Sequence, residues 1–177
     1  MLTLVASLLA LFAPLSGPNP DTSTAVSREP VYQLHLYHTH TNERLDIVYR
    51  RGAGYDTAAL QRLEYFLRDH RTGEVHSYDP RVFDLLRDLV GSLGRPDREI
   101  DVVCGYRTPW SNEFLRRRSR AVAQHSLHMR AMAIDIRLPG VTTRELRNAA
   151  LVLHRGGVGY YEREQFVHVD VGRVRRW

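Results

Sequence analysis

The sequence predicts an α+β fold in which helices flank a small, mostly antiparallel sheet. Residues 31–49 alternate between apolar and polar side chains, which is typical of a β-hairpin. Residues 82–93 carry an apolar stripe at helical spacing. Helical patterns dominate the first half of the chain and strand-like alternation dominates the end, an order that favours α+β over alternating β-α units.

Each early element begins or ends at a recognisable residue. The hairpin turns around residues 39–43, THTNE. Asp56 can cap a helix that carries leucines on one face. Asp79 and Pro80 fit the start of the next helix, with proline in its first turn, and Gly94 fits its end.

The later elements are predicted from shorter patterns. Thr142 and Glu145 form a capping-box pair at the start of a helix that runs through Leu153. The other predicted elements are strands at 100–104, 132–138, 158–161 and 166–171, and a short helix at 112–118.

The composition is that of one globular domain with a basic surface. The chain has 177 residues, 43% hydrophobic and 25% charged, and a formal net charge of +5. All 25 basic residues are arginine. A basic surface suits a polyanion, although the densest cluster, residues 116–120, fits a solvated helix face equally well. Since no nucleic-acid-binding motif is present, we expect no nucleic-acid partner.

The amino-terminal residues predict export. Residues 1–15 form an apolar run of signal-peptide length without a basic n-region, which indicates an export signal or an uncleaved anchor. Residues 16–30 are polar and contain proline, as in a flexible linker, and residues 31–177 form the domain. We expect a periplasmic or otherwise extracytoplasmic protein that meets the membrane only through residues 1–15.

Cys104 is the only cysteine. A single cysteine excludes an intrachain disulfide, and we take it also to exclude a cysteine-based zinc site. Its place after two valines predicts a small, buried side chain.

Two segments near the end of the chain combine histidine with carboxylate. His128 precedes Asp135 by seven residues, and His168 and Asp170 lie in a later apolar strand. Imidazole and carboxylate suit zinc, and three protein ligands would leave a position for water, as in catalytic sites. A histidine on an apolar strand is also compatible with a hydrogen-bonded core residue, so spacing alone leaves both interpretations open.

The motifs around these residues resemble the zinc D-alanyl-D-alanine peptidase superfamily, which includes the hedgehog signalling domain. The similarity is greatest to its murein endopeptidase branch, formerly a domain of unknown function, and covers about residues 31–177. The segments that carry it are 69–76 (DHRTGEVH), 105–108 (GYRT), 126–129 (SLHM), 131–137 (AMAIDIR), 156–161 (GGVGYY), 166–170 (FVHVD) and 172–177 (GRVRRW).

The resemblance implies a set of site residues. It places the Zn²⁺ ligands at His128, Asp135 and His168. It implies that Arg107 stabilises the oxyanion formed during peptide hydrolysis. Ser126 and Tyr106 are the candidate substrate-binding residues. Because histidines 35, 38, 40, 70 and 76 lie outside the ligand motif, we interpret them as structural or surface residues.

The general base departs from the family pattern. Many relatives have a carboxylate three residues before the last histidine, where this chain has Gln165. Asp170 is the preferred substitute, although it can instead orient a metal ligand. Glu162, at a hedgehog-like position, is the second candidate, and Glu164 is the third.

The implied function is zinc-dependent hydrolysis of peptide cross-links in peptidoglycan. An endopeptidase is expected more than a carboxypeptidase, and the pattern does not distinguish D,D from L,D bonds or indicate an oligomeric state. The alternative is a non-catalytic zinc module that binds wall peptides or a protein partner, which the glutamine at position 165 keeps open.

Overall fold

The structure is a computed structural model that describes residues 29–119 and 121–177. The predicted export segment and most of the predicted linker lie outside these residues. Within the described part of the chain, no helix has the length and apolarity needed to cross a membrane.

One eight-stranded sheet organises the fold. The strands are β1 Val31–His38, β2 Arg44–Arg51, β3 Gly54–Tyr55, β4 Ile100–Cys104, β5 Ala133–Arg137, β6 Gly157–Tyr161, β7 Phe166–Asp170 and β8 Arg175–Arg176. Their order across the sheet is β3-β2-β1-β4-β5-β7-β6-β8. Among the described strands, β1 with β4 and β6 with β8 run parallel, and the other neighbours are antiparallel. The predicted α+β class with a mostly antiparallel sheet is confirmed.

Four α-helices accompany the sheet. They are α1 Thr57–Phe66, α2 Arg81–Ser92, α3 Pro109–Arg116 and α4 Thr143–Leu153. Asp56 caps α1 by accepting the Ala59 amide at 3.0 Å, and Thr142 with Glu145 forms the expected capping box on α4. Helix α3 begins three residues earlier than predicted, because the Thr108 side chain caps it and proline fits its first turn.

The apolar core lies between one face of the sheet and helices α1, α2 and α4. Along β5, Ile134 and Ile136 are buried in this core, and along β7, Val167 and Val169 join them. Because side chains alternate across a strand, the residues between these positions face the other side of the sheet. That second face carries the polar side chains described next.

A candidate metal centre and active site

Strand pairing brings Asp135 and His168 together. The two residues are direct cross-strand partners in the antiparallel β5–β7 pair, and both point away from the apolar core. Both are nearly fully buried. The sequence separates them by 33 positions, so only the register of the two strands sets their contact.

His128 reaches the same point from a short 3-10 helix, Leu127–Arg130. Ser126 caps this helix, and its hydroxyl accepts the His128 amide at 3.4 Å. Ala131 ends the helix in the left-handed conformation, with φ 48°, and the chain then enters β5. This turn replaces the continuous helix that a seven-residue spacing would also allow, and it buries the His128 ring beside Asp135.

Three atoms that could bind a metal ion lie close together. His128 Nε2 lies 3.1 Å from Asp135 Oδ1 and 3.1 Å from His168 Nδ1, and His168 Nδ1 lies 2.9 Å from Asp135 Oδ1. Ligand atoms bound at 2.0–2.1 Å to a tetrahedral zinc ion lie about 3.3 Å apart. The two imidazoles and the carboxylate therefore fit a zinc-sized cation with a small outward movement.

The outer nitrogen of each histidine has its own partner. His128 Nδ1 lies 2.7 Å from the Gly105 carbonyl oxygen, which can only accept, so this nitrogen carries the proton. His168 Nε2 lies 3.1 Å from Asp170 Oδ2. Such partners fix the ring and leave the inner nitrogen free as a ligand, as in histidine metal sites generally.

The protonation states of His128 and Asp135 suit a bound cation, whereas His168 would have to release a proton to bind one. Burial, reinforced by the positive charge of Arg107, lowers the pKa of His128 to about 4, so its ring is neutral at neutral pH. Burial alone would raise the pKa of Asp135, but charge and hydrogen bonds from the two histidines outweigh burial and hold that pKa well below its ordinary value. Burial would also lower the pKa of His168, yet hydrogen bonds to Asp135 and Asp170 raise it on balance.

Arg107 contacts the Asp135 carboxylate at Oδ2, the oxygen that the two histidines do not contact. Its Nη2 donates to Asp135 Oδ2 at 3.2 Å, its Nε to Cys104 Sγ at 3.1 Å, and its Nη1 to Asn112 Oδ1 at 3.4 Å. A guanidinium has five N–H donors, so these three contacts leave two for a ligand. Arg107 is 8% exposed and faces the same cavity as the metal-ligand candidates.

His128, Asp135 and His168 line a cavity of about 390 Å³. One wall contains His40, His70 and Arg71, and another contains Phe166 and Trp177. The Trp177 ring centroid lies 5.2 Å from that of His168, and its Nε1 donates to the Tyr161 hydroxyl at 3.0 Å. The carboxy-terminal residues thus form part of the site.

Comparison with known proteins assigns the chain to a family. A family model described as peptidoglycan L,D-endopeptidase MepK matches residues 26–177. The chain belongs to the MepK family. A probable peptidoglycan L,D-endopeptidase MepK of Haemophilus influenzae is 42% identical over 138 residues, which cover 78% of this chain and 74% of that protein. The peptidoglycan L,D-endopeptidase MepK of Escherichia coli K12 is 39% identical over 166 residues, 94% of this chain and 85% of that protein.

No solved structure gives a significant match. Membership of the MepK family confirms the predicted murein endopeptidase branch and the predicted enzyme class, a peptidase.

The two preferred candidates for the general base, Asp170 and Glu162, do not line the cavity in this member of the MepK family. Asp170 is completely buried, and its carboxylate also accepts from the Gly157 and Gly172 amides and from Arg175. Burial would raise its pKa, but these bonds and the one to His168 hold it well below its ordinary value. Asp170 therefore has the geometry of a ligand-orienting residue, which was the alternative.

Glu162 lies outside the cavity, in a separate depression with Arg144. Its carboxylate is 3.6 Å from the Arg144 guanidinium. Tyr161, the last residue of β6, lines the cavity, and Glu162 begins the turn that follows it. Glu162 therefore lies apart from the candidate metal ligands, and its role as the base stays a prediction.

Glu164 is the carboxylate that faces the cavity from this turn. Glu164 lies in the turn before β7, and it lines the cavity together with Phe166 and His168 of that strand. Gln165 has φ 57° and faces the other depression. Gln165, which stands where many relatives have a carboxylate, therefore faces away from the cavity, and Glu164 lines the cavity instead.

Three other residues differ from the expected placement. Tyr106 is not among the residues that line the cavity; its ring is buried in the core, and its hydroxyl donates to Glu74 Oε1 at 3.3 Å. His40 and His70 line the cavity, although they lie outside the ligand motif. Their place depends on the packing of two separate loops, which local patterns do not report.

Cys104 is buried, as predicted, but it belongs to a group of side chains that could hold a metal ion, contrary to the expectation that a single cysteine takes no part in such a site. A β-bulge between Val102 and Cys104 makes Cys104 the cross-strand partner of Asp135 and turns its sulfur towards the cavity. Ligand atoms of Cys104, His128 and Asp135 lie within 4.8 Å of one another. Burial raises the pKa of the thiol, which keeps the sulfur protonated in the absence of a metal.

Proposed function

We propose that this protein is a zinc-dependent L,D-endopeptidase that hydrolyses peptide cross-links of peptidoglycan. The observation that carries the proposal is the convergence of His128, Asp135 and His168 at the floor of a cavity in a member of the MepK family. Two imidazoles and one carboxylate leave a fourth position open, which is the ligand set of catalytic rather than structural zinc.

Zn²⁺ held by these three residues would polarise the scissile carbonyl and lower the pKa of a water molecule. The protein contributes the orientation of the ligands. Gly105 and Asp170 fix the two rings, and Arg107 fixes the second oxygen of Asp135. Because each ligand has one allowed orientation, little rearrangement is needed when the cation binds.

Arg107 also has the position to stabilise negative charge on the carbonyl oxygen. Its guanidinium is always charged, and two of its N–H groups remain free beside the cavity. A donor in a site with little water stabilises a developing oxyanion more than one in bulk water does. Ser126 orients His128 through the turn and lines the cavity as well, which agrees with a role at the substrate.

We assign the general base to Glu164. It is the carboxylate on the cavity wall that is not committed to the ligand network, and its exposure leaves it free to reach water and then the leaving amine. Its backbone carbonyl accepts from Arg137 at 3.0 Å, which holds the turn against β5.

Peptidoglycan lies outside the cytoplasm, so an enzyme that acts on it has an extracytoplasmic role. The apolar residues 1–15 and the polar residues 16–30 supply a route of export that agrees with this location.

The deciding experiment combines metal analysis with product analysis. The purified full-length protein should contain about one zinc per chain and release L,D-cleaved muropeptides from isolated sacculi. The matched control is the His128→Ala protein on the same sacculi. Zinc binding with no release of muropeptides would favour the non-catalytic wall-binding module instead.

A further inference from the structure

The cavity has one cationic wall whose role the hydrolysis does not explain. Among the residues that the structure describes, three arginines line the cavity, and two of them have carboxylate partners: Arg107 with Asp135 and Arg175 with Asp170. Arg71 forms no ion pair with any carboxylate in residues 29–119 and 121–177. A cation that faces a cavity without a partner is a natural position for an anionic group of the ligand.

Two histidines stand on the same wall. The rings of His40 and His70 are stacked, with centroids 4.1 Å apart and planes 11° from parallel. Burial, assisted by the positive charge of Arg71, lowers the pKa of both rings, that of His70 to about 4. A neutral ring has one N–H, and that of His40 is directed to the Val103 backbone. The wall therefore combines the fixed charge of Arg71 with the N–H of His70.

A buried carboxylate holds this wall in place. Asp69 is completely buried; its Oδ1 accepts the Arg71 amide at 2.9 Å, and its Oδ2 accepts the amide and the hydroxyl of Thr108, both at 2.8 Å. The Gly73 amide donates a hydrogen bond to the Asp69 carbonyl oxygen at 2.7 Å, which closes this loop. Thr108 directly follows Arg107, so one side chain fixes the cationic wall relative to the oxyanion-stabilising arginine.

We propose that Arg71, with His40 and His70, forms a carboxylate-binding subsite that recognises a free carboxylate of the peptide stem beside the scissile bond. This inference rests on the proposed function, because it takes the ligand to be a peptidoglycan stem peptide. Such peptides carry free carboxylates next to their amide bonds. The subsite selects substrates whose carboxylate is free over those in which it is amidated.

The test compares two cross-linked muropeptides that differ at one group, a free carboxylate in one and its primary amide in the other. The wild type should cleave the free acid with a kcat/KM about 10–100-fold higher, the scale of one charge-assisted hydrogen-bonded contact. Arg71→Ala should lose this preference, mainly by a higher KM for the acid, and should cleave the amide as the wild type does. Arg62→Ala, an exposed arginine on α1 outside the cavity, is the matched control.

His70→Phe tests the histidine pair separately. It keeps the ring stacked on His40 and removes the N–H donor, so the preference should fall by about 2–10-fold, as for one neutral hydrogen bond. Equal losses on both substrates in Arg71→Ala, or an unchanged preference, would overturn the subsite.

Binding to the metal-free protein separates this inference from the proposed function. Calorimetry with the free-acid stem peptide and with its amide should show about 10–100-fold tighter binding of the acid to the wild type and no difference for Arg71→Ala. If the wild type binds with this preference but cleaves neither muropeptide, the subsite stands and the enzymatic proposal fails. If it cleaves both equally and binds both equally, the subsite fails and the enzymatic proposal stands.

Discussion

His168 is held between two carboxylates, with Nδ1 2.9 Å from Asp135 Oδ1 and Nε2 3.1 Å from Asp170 Oδ2. Burial lowers the pKa of this ring, but the hydrogen bonds to the two carboxylates raise it on balance. A cation bound at Nδ1 would leave the ring proton on Nε2, where the Asp170 carboxylate accepts it. Asp170 thereby has the position to orient a candidate metal ligand.

Asp170→Asn should weaken zinc binding by about 10–100-fold. If the amide keeps its oxygen on the Gly157 and Gly172 N–H groups, its nitrogen faces His168 Nε2. An N–H at that place favours the tautomer with the proton on Nδ1, which blocks the ligand lone pair. Zinc titration monitored by activity is the measurement.

Excess zinc should restore most of the activity of Asp170→Asn. A variant that binds zinc normally but turns over about 10²–10⁴-fold more slowly would instead assign Asp170 as the base.

His128→Ala and His168→Ala should each lose bound zinc and activity. Removing one of three protein ligands leaves two, too few for a stable catalytic site. Metal content by mass spectrometry, after dialysis against a weak chelator, is the measurement, and circular dichroism checks the fold. His35→Ala is the control, since its ring pairs with Asp46 near the surface. Full zinc occupancy in both ligand variants would contradict the assignment.

Glu164→Gln should retain zinc and reduce kcat by about 10²–10⁴-fold, the usual scale for a lost general base. Glu162→Gln is the matched control from the same turn, and it should behave as the wild type because its side chain faces another depression. Steady-state kinetics on a defined muropeptide distinguishes the two. An inactive Glu162→Gln beside a normal Glu164→Gln would reverse the assignment.

The stability of the folded state should fall on acidification partly through His38. This ring is fully buried, and its Nδ1 accepts the His40 and Thr41 amides at 3.2 and 3.4 Å. Burial first, and neighbouring positive groups second, lower its pKa from 6.5 to about 4. The unfolded chain therefore binds a proton more readily, and the free energy of unfolding contributed by this group decreases as the pH falls from about 6.5 to about 4.

His38→Asn should flatten this part of the stability profile by up to about 2–3 kcal/mol. Its side-chain oxygen can accept the same two amides and does not titrate. Urea unfolding between pH 7 and pH 4, on zinc-free samples of both proteins, provides the comparison. An identical slope for both would show that His38 makes no contribution.

A reporter fused after residue 30 should be active outside the cytoplasm. The apolar run of residues 1–15 supplies the hydrophobic segment that export requires. The control fusion lacks residues 1–15 and should remain cytoplasmic. Equal cytoplasmic retention of both fusions would contradict the predicted export.

The sequence alone determined most of the secondary structure. Capping at Asp56 and Thr142 and the long stripe of α2 are local signals, since each depends on residues within a few positions. Strands β3 and β8 and the 3-10 helix were not predicted, because two to four residues are too few to establish a period.

The sequence also determined the candidate ligands, through a resemblance that spans several ordered motifs. What it left open was the role of each remaining carboxylate. Three carboxylates lie within a few positions of one another along one hairpin, and they differ in the direction in which their side chains point. Glu162 faces a separate surface depression, Glu164 faces the cavity, and Asp170 contacts the His168 ring.

That distinction belongs to the tertiary structure. A strand presents alternate residues to opposite faces of the sheet. A shift of one residue, as in the turn at Gln165 or the bulge before Cys104, therefore decides whether a side chain faces the cavity or points away from it. The cationic wall likewise arises where the loops around His40 and Arg71 meet the strands of the site. Contacts between segments tens of residues apart depend on register and packing, and these physical constraints operate only once the whole sheet has formed.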